Sequence, residues 1–455
     1  MSFLHGVEII ELDGGPRPIQ TPKASVIGLV GTAAQGPVNK PVLIEGSRKK
    51  AVETFGEPDG TNTIPDALDA IFDQTGALIV VVNVGSGSGY AAESVSSEEK
   101  TFASGVIVLS GQEISNLVVT NADGSITYEE GADYTFDAAT GTISRAAEGA
   151  LASGDSVKLS YDHKVVAAAI TKTDIEGKID ADTGQYTGIL ALLGAQSEVA
   201  VTPRLLIAPS FTHEKTVVDT LIGVAERLRA VVIADGPNTT NEAAKAYRAQ
   251  FGSARVYMVD PGVMIDDVTQ VASPRVVGAI VKRDNQHGFW WSPSNQPILG
   301  ITGTVRPIDF ALGDQNAAAN LLNEQEVATI INQDGYRLWG NRTCSSDSKW
   351  AFISVRRTAD MLNDALLQAH LWAVDRNITK TYVEDVIAGV NNYLNSLKSK
   401  GAIIGGACWA DPDLNTPDQI VDGKITFDFD FTPPYPAEHI TFRSSLVNNY
   451  LTEIF

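Results

Sequence analysis

The sequence predicts an α/β fold built on a central, largely parallel sheet. Two continuous apolar runs, ASVIGLVGTA from residue 24 and ALIVVVNVGSG from residue 77, are typical of strands covered on both faces. The segment TIPDALDAIFDQTG between them has helical spacing and a closing glycine. From residue 204 to residue 261, patterns of strand, helix, strand, helix and strand follow at lengths typical of parallel crossover units.

The two parts of this predicted core, residues 23–94 and 165–335, are separated by a region of different composition. Residues 95–164 are short alternating segments punctuated by Gly and Asp, which predicts a small all-β domain inserted into the α/β core. The region contains 11 acidic residues against four basic residues, and no tryptophan. We therefore expect it to face outward into solvent.

A C-terminal α+β domain is predicted over residues 336–443. All six tryptophans lie beyond residue 289, which indicates a large core in this half. Apolar residues recur at helical spacing in TADMLNDALLQAHLWAVD and again over residues 379–400, where Thr381 and Glu384 fit a capping box. The alternation in KITFDFDFTPPYPAEHITFRSSL predicts a long closing hairpin with one solvated face.

Both ends of the chain predict short strands that extend from the body as arms, over residues 1–22 and 444–455. VEIIEL alternates at residues 7–12, and a linker with three prolines and two glycines follows it. The last residues alternate up to the final position. Pairing within the same chain and donation to the sheet edge of another subunit both fit this pattern. The candidate arm residues are Val7, Ile9, Glu11, Tyr450, Leu451, Thr452, Ile454 and Phe455.

Composition and charge narrow the function classes. The chain has 455 residues, 44% of them apolar, and a net charge of −21, which repels nucleic acid and anionic membrane surfaces. No basic and apolar leader and no apolar window of about 18 residues is present, so we expect folding in a cytoplasm and no membrane partner. Cys344 and Cys408 are far apart, which excludes a CxxC metal site and predicts two buried thiols.

Motifs that carry chemistry are scarce, and no cofactor, metal or catalytic residue is predicted. The turn GLVGTAAQG, Gly28 to Gly36, follows a strand but lacks the Lys-Ser/Thr of a P-loop and the spacing of a dinucleotide fingerprint. Asp411, Asp413 and Asn415 match calcium-loop positions without the required glycine, which favours a solvated turn. An α/β enzyme that binds a phosphorylated ligand at Gly28 to Gly36 is the alternative function.

Two ordered segments carry a resemblance to a known family. HGVEIIELDGGPRPIQTPKASVIGLVGTAAQGP resembles the opening of contractile-tail sheath proteins of bacteriophages and related injection machines, with its arm, Gly-Pro-rich linker, buried strand and GTAxxGP turn. LWGNRTCSSDSKWAFISVRR is similar to the segment of the same family built on WGART and FINVRR. Asn341 stands where alanine is common in that segment.

The resemblance implies a structural subunit of a contractile sheath, with a subtilisin-like inner domain that lacks protease activity. It implies terminal arms that donate strands to adjacent subunits, helical polymerisation around an inner tube, and contraction from a metastable extended state that drives the tube through a target envelope. The implied partners are copies of this chain, the tail tube protein, and baseplate and tail terminator proteins. The implied location is the virion, assembled in the host cytoplasm.

The same resemblance suggests residues for two further contacts. A helix of the C-terminal half contacts the tube in relatives, which makes Asn391, Asn395, Lys398 and Lys400 the candidate tube contacts of this chain. Arg356 and Arg357 could pair with acidic groups of the next subunit, or could form local salt bridges.

Overall fold

A mixed eight-stranded sheet lies at the centre of the protein. The computed structural model describes residues 19–87, 90–109, 112–138, 140–166 and 170–454. The first of these ranges supplies β1 (Val26–Gly31), β2 (Val42–Glu45), α1 (Arg48–Phe55), α2 (Thr63–Phe72) and β3 (Leu78–Asn83). The two predicted apolar runs are β1 and β3, which pair in parallel with Ile27 beside Ile79.

Residues 90–166 form two small antiparallel sheets, as the alternating pattern predicted. Their strands are β4 (Tyr90–Thr101), β5 (Val106–Val108), β6 (Gln112–Asn121), β7 (Thr127–Tyr128), β8 (Tyr134–Asp137), β9 (Thr142–Arg145) and β10 (Ser156–Val166). The sheet orders are β4-β10-β6-β7 and β5-β9-β8. Phe102, Ile143 and Leu159 belong to a hydrophobic cluster of this region. Tyr90 pairs with Val166, so the chain enters and leaves the region through neighbouring strands.

The chain then returns to the central layer, where strands and helices alternate. The elements of this part are α3 (Lys172–Glu176), α4 (Ala195–Val199), β11 (Leu205–Ile207), α5 (Lys215–Leu228), β12 (Val231–Asp235), α6 (Asn241–Arg248), β13 (Val256–Val259), β14 (Val263–Ile265), β15 (Val268–Gln270), α7 (Ser273–His287), β16 (Gly303–Thr304), α8 (Ala318–Glu324), β17 (Val327–Asn332) and β18 (Tyr336–Trp339). A 3₁₀ helix, Gly188–Gly194, precedes α4. β14, β15 and β16 form a separate small sheet.

The central sheet has the strand order β18-β17-β13-β12-β11-β1-β3-β2. Five of its seven pairings are parallel, and the antiparallel strands β2 and β18 form its edges. Alternate residues of β1 point to opposite faces: Ile27 and Leu29 enter one hydrophobic cluster with α2 and α7, whereas Val26 and Val30 enter another with α3, α5 and α6. Coverage of both faces explains why these strands are apolar throughout.

The C-terminal part consists of α9 (Ile353–Ala369), α10 (Lys380–Ser399), β19 (Gly405–Trp409), α11 (Pro417–Val421) and β20 (Asp428–Thr432). Buried residues of α10, among them Val390 and Leu394, share a cluster with Leu362 of α9 and with the aromatic side of β20. α10 begins earlier than the predicted capping box: the Thr379 hydroxyl accepts the Tyr382 amide at 3.2 Å. The C-terminal module is defined here as α9, α10, β19 and β20.

One prediction for the end of the chain, the long closing hairpin, is wrong. β20 pairs with β19 rather than with a later strand, and residues 433–448 form no helix or strand. Pro433, Pro434 and Pro436 interrupt the expected hairpin because they cannot donate ladder hydrogen bonds.

In the single chain, the stretch predicted as a terminal strand forms a 3₁₀ helix, Asn449–Ile454, which contains Tyr450, Leu451, Thr452 and Ile454. Its donation as a strand to another subunit stays a prediction. A strand without a neighbour leaves its backbone groups unpaired, whereas a turn bonds them locally, as the Leu451 amide does with the Asn448 carbonyl at 3.0 Å. Phe455 and the N-terminal candidates Val7, Ile9 and Glu11 lie outside the described residues.

Candidate assembly surfaces

The segment after β20 exposes large apolar side chains to solvent. Phe442 is 92% exposed and Leu446 is 100% exposed, although both are residue types that normally bury surface. Further exposed apolar residues of this segment are Tyr435, Ile440, Val447, Tyr450 and Leu451. Such a concentration of apolar surface marks a site of interaction with another molecule. We call residues 433–455 the C-terminal segment.

The beginning of the C-terminal segment is fixed to the body by one ion pair and one ring contact. Arg342 Nε donates to both carboxylate oxygens of Glu438, at 2.8 and 3.1 Å, and a second guanidinium nitrogen donates at 2.5 Å. The Arg342 guanidinium also lies 5.2 Å from the Phe352 ring centre, and Phe352 contacts the ring of Tyr435 edge-on. We call this group, Arg342, Glu438, Phe352 and Tyr435, the clasp.

The two-stranded sheet of the C-terminal module pairs with no third strand among the described residues, and its β20 edge is open. β19 and β20 pair with each other alone, and Cys408 of β19 faces Phe429 of β20. Asn391 of α10 holds this sheet to the helix, because its side-chain amide bonds the Cys408 carbonyl at 3.0 Å and accepts the Cys408 amide at 2.8 Å. A short sheet with an open edge can accept added strands.

The first described residues leave from the same module. Ile19 packs against the hydrophobic cluster of α10 and β20. The Thr21 hydroxyl lies 2.9 Å from the Tyr393 hydroxyl of α10, and Arg357 of α9 donates to the Ala24 carbonyl at 3.2 Å. The roots of both terminal segments are therefore attached to the C-terminal module.

The candidate tube contacts occupy one end of α10. Asn395, Lys398 and Lys400 are exposed, and the two lysines fall at the C-terminal end of the helix, where positive charge is favourable. Asn391 differs from them because both polar ends of its side chain bond the backbone of β19. Its amide has a role within the fold, which leaves Asn395, Lys398 and Lys400 as candidates for an external contact.

The turn from Gly28 to Gly36 is filled by the protein itself. The Asn83 side chain accepts the Ala33 amide at 2.9 Å and donates to the carbonyls of Ala33 and Gln35, each at 3.1 Å. A Cβ atom on Gly31 would lie 2.2 Å from the Thr63 hydroxyl oxygen, so that glycine permits close packing of β1 against α2. The turn therefore holds an asparagine amide where the alternative function required a phosphate.

Polar groups in the core are structural. The Ser273 hydroxyl donates to the Asp235 carboxylate and is fully buried, so no substrate reaches it. Burial raises the pKa of the Cys344 thiol to about 12 and also raises the pKa of Cys408, which keeps both thiols protonated.

In the described part of the chain, no three His, Cys, Asp or Glu side chains are placed to hold a metal ion. The described helices include none long and apolar enough to cross a membrane.

Sequence reasoning missed a set of buried ion pairs on α9. Asp364 pairs with Arg204 ahead of β11, Asp360 pairs with Arg255 ahead of β13, and Arg357 donates to Asp284 of α7 at 2.9 Å. These pairs fix the C-terminal module to the central sheet. The signal available in the sequence was a charged residue at positions 357, 360 and 364, a spacing that places all three on one side of the helix.

Arg356 and Arg357 both form ion pairs within the chain. The structure therefore supports local salt bridges for these residues rather than pairing with the next subunit. Arg356 donates to Asp360 at 2.9 Å and lies over the Trp350 ring at 4.1 Å. Burial raises the pKa of Asp360, and the charges of Arg255 and Arg356 oppose that rise. A buried carboxylate with two cationic partners stabilises one arrangement of helix and sheet.

Profiles of tail sheath families match most of the chain. The phage tail sheath C-terminal domain matches residues 345–446, the phage tail sheath central domain matches residues 191–344, and the N-terminal region of domain III of the tail sheath protein Gp18 matches residues 25–84. Residues 79–175, which include the two small sheets, match a family of unknown function.

Solved structures of sheath proteins share the fold. The helical sheath of the anti-feeding prophage in its contracted state covers 98% of this chain and 99% of its own, with a TM-score of 0.60 at 17% identity. The crystal structure of a sheath tail protein from Desulfitobacterium hafniense covers 89% of this chain and 94% of its own, with a TM-score of 0.52 at 13% identity. At these identities the likeness establishes the mixed α/β fold.

Sequence relatives establish the family. A prophage major tail sheath protein of Pseudomonas aeruginosa is 39% identical over 100% of this chain and 99% of its own length. The tail sheath protein of Escherichia phage P2 is 30% identical over 99% of this chain and 98% of its own. Because relatives of this similarity align from end to end, the chain belongs to the phage tail sheath family and is a structural sheath protein, not an enzyme.

Proposed function

We propose that this chain polymerises helically around an inner tube through its terminal segments, and that the sheath contracts from a metastable extended state to drive the tube through a target envelope. The observation that carries the proposal is the C-terminal segment, whose described large apolar side chains include Phe442, 92% exposed, and Leu446, 100% exposed, in the single chain. Exposed apolar surface of this kind is stabilised when a second molecule covers it. Further copies of the chain are the partners that this proposal requires.

The points at which the two terminal segments attach to the C-terminal module support strand exchange between copies. Both terminal segments leave from the C-terminal module, and that module carries a sheet of two strands with an open edge at β20. A segment donated by one copy can therefore extend the sheet of another copy, while each donor stays attached to its own body. A contact of this head-to-tail kind produces a helical polymer when it does not close into a ring.

The remaining parts of the proposal concern the layout and partners of the subunit. We divide the chain into an N-terminal arm and linker (1–22), a subtilisin-like α/β core (23–94 with 165–335), an outward β-domain (95–164), a C-terminal α+β domain (336–443) and a C-terminal arm (444–455). Asn395, Lys398 and Lys400 are the proposed tube contacts. Baseplate, terminator and tube proteins are the proposed partners in a virion assembled in the host cytoplasm.

Electron microscopy of the purified protein tests the proposal directly. We expect the full chain to form long hollow helical tubes, and a variant lacking residues 439–455 to remain a folded monomer. The removed residues contribute little to the core, so thermal unfolding of the variant should match that of the wild-type monomer. Closed small oligomers of the full chain under every condition, or unchanged tubes from the truncated chain, would overturn the proposal.

A further inference from the structure

An exposed leucine lies at the tip of the loop between β16 and α8. Leu312 is 78% exposed. It occupies the second position of a β-turn, in which the Asp314 amide donates to the Ala311 carbonyl at 3.2 Å. Gly313 follows with a φ of 86°, which fits the third position of a type II turn and which glycine adopts without strain. The turn therefore holds one aliphatic side chain away from the body.

The loop that carries this turn is fixed on both sides of it. Before the turn, Arg306 forms an ion pair with the buried Asp260. Next to the turn, the Asp309 carboxylate accepts the Ala318 amide at the start of α8, at 3.1 Å. A contact made by Leu312 therefore loses little conformational entropy, because the loop already has the conformation that the contact needs.

A shallow cleft between α1 and α2 can receive a side chain of this kind. Its volume is about 210 Å³, and its lining is mostly apolar, with contributions from Val52, Pro65, Leu68 and Phe72. Arg48 also lines the cleft and is held there by Asp69, at 2.6 Å. A cleft of this size fits one side chain rather than a helix or a strand.

The charges beside the leucine and beside the cleft are complementary. Asp309 and Asp314 flank Leu312, and neither forms a salt bridge among the described residues. Residues 48–50 at the start of α1 are Arg-Lys-Lys, and within the same described ranges Lys50 has no carboxylate partner. The helix dipole disfavours positive charge in a first turn. An acidic partner would offset this cost, and the chain itself has 55 acidic residues against 34 basic residues.

The leucine and the cleft lie toward opposite edges of the central sheet. Phe310 packs edge-on against Trp339 of the edge strand β18, with ring centres 4.9 Å apart. α1 directly follows β2, which is the other edge strand. Seven strand spacings separate these edges, about 34 Å in all, so Leu312 cannot enter the cleft of its own chain. A second copy placed beside the first can offer its cleft, and such a contact continues from copy to copy.

We propose that Leu312 of one copy inserts into the cleft between α1 and α2 of the next copy, with Asp314 facing Lys50. This inference rests on the proposed function and adds to it a contact between the bodies of two subunits. Insertion removes the leucine and the cleft lining from water, and the charges fix the orientation in which the bodies meet. The contact is small, so it can form and break while the terminal segments keep the copies connected.

Disulfide trapping in assembled tubes tests the inference directly. We expect an equal mixture of L312C and V52C chains, oxidised after assembly, to give covalent dimers on a denaturing gel, whereas each variant alone stays monomeric. The double variant L312C/V52C should give a ladder of longer products, because each copy then carries both halves of the contact. Cys344 and Cys408 are buried and do not compete.

Assembly measurements provide a second readout. L312S should raise the critical concentration for tube formation at least about fivefold and leave thermal unfolding of the monomer unchanged, because the side chain is exposed. V421S is the matched control, since Val421 is 86% exposed on α11, outside the contact, and this variant should assemble like the wild type. D314K and K50E should each weaken assembly at low salt, and D314K/K50E should restore it.

The outcomes separate this inference from the proposed function. Tubes of the mixed cysteine variants that yield no dimers would overturn the inference. Assembly of L312S at the wild-type critical concentration would overturn it as well. Failure of the wild-type chain itself to form tubes would instead reject the proposed function.

Discussion

At the level of single residues, Asp235 is a buried carboxyl group without a cationic partner among the described residues. It ends β12 and is buried, its carboxylate accepts the Ser273 amide at 2.7 Å and the Ser273 hydroxyl at 2.5 Å, and the described residues give it no salt bridge. Burial is the largest influence and raises the pKa of Asp235 from 3.8 to about 6, although the hydrogen bonds from Ser273 oppose the rise. The folded state therefore binds a proton more tightly than the unfolded state.

This raised pKa predicts a pH dependence that D235N should remove. The contribution of Asp235 to stability is fully present below pH 4 and is lost as the pH rises through 6, because only the folded state resists ionisation in that window. Urea unfolding of the monomer at several pH values should show the stability of D235N rising relative to wild type by about 2–3 kcal/mol between pH 4 and pH 7. A difference that stays constant with pH would contradict the assignment.

At the level of elements, the clasp fixes the start of the C-terminal segment and predicts protection from a protease. Proteases specific for glutamate cleave after Glu438, whose side chain Arg342 holds, and after Glu453, which serves as the reference site outside the clasp. On the monomer, R342A should raise the rate of cleavage at Glu438 relative to Glu453 by up to about fivefold, the effect of losing a partly exposed ion pair.

The control for this prediction is R376A. Arg376 also lies over an aromatic ring, that of Trp372, at 4.9 Å, but it is remote from Glu438 in sequence and forms no part of the clasp. The cleavage ratio of R376A should equal that of the wild type. If R342A leaves the ratio unchanged as well, the clasp does not hold the segment in solution.

Elements that depend on local periodicity could be predicted from the sequence. The first helix predicted between residues 204 and 261 is α5 (Lys215–Leu228), which forms because its apolar stripe is continuous and a buried strand follows it. The predicted closing hairpin failed because β20 takes β19 as its partner, and the Gly-rich stretch of β19 has little strand signal of its own. The clasp joins Arg342 to Glu438 across 96 positions of sequence, and a contact of that separation leaves no local pattern to detect.

At the level of the whole molecule, the buried ion pairs and the clasp restrict where the chain can move freely. Arg204–Asp364 and Arg255–Asp360 fix the C-terminal module to the central sheet, and both terminal segments are rooted on that module. The 17 residues after Glu438, 439–455, can span at most about 60 Å. A rigid body with long attached segments supports a contraction in which bodies rotate against one another while the segments keep the copies connected.

The two small sheets of residues 90–166 predict a subunit that assembles without them. They have a hydrophobic cluster distinct from those of the central sheet, and Tyr90 pairs with Val166, so a short Gly-Ser turn in place of residues 91–165 can join the ends. We expect the shortened chain to unfold at nearly the same temperature and to form tubes of smaller outer diameter and unchanged inner diameter in electron micrographs.

A peptide tag inserted at the exposed turn of Gly124 in the full chain is the matched control, and it should add density on the outside of an otherwise normal tube. Loss of tubes from the shortened chain, with normal tubes from the tagged chain, would show that this region carries contacts between subunits and would contradict its outward placement.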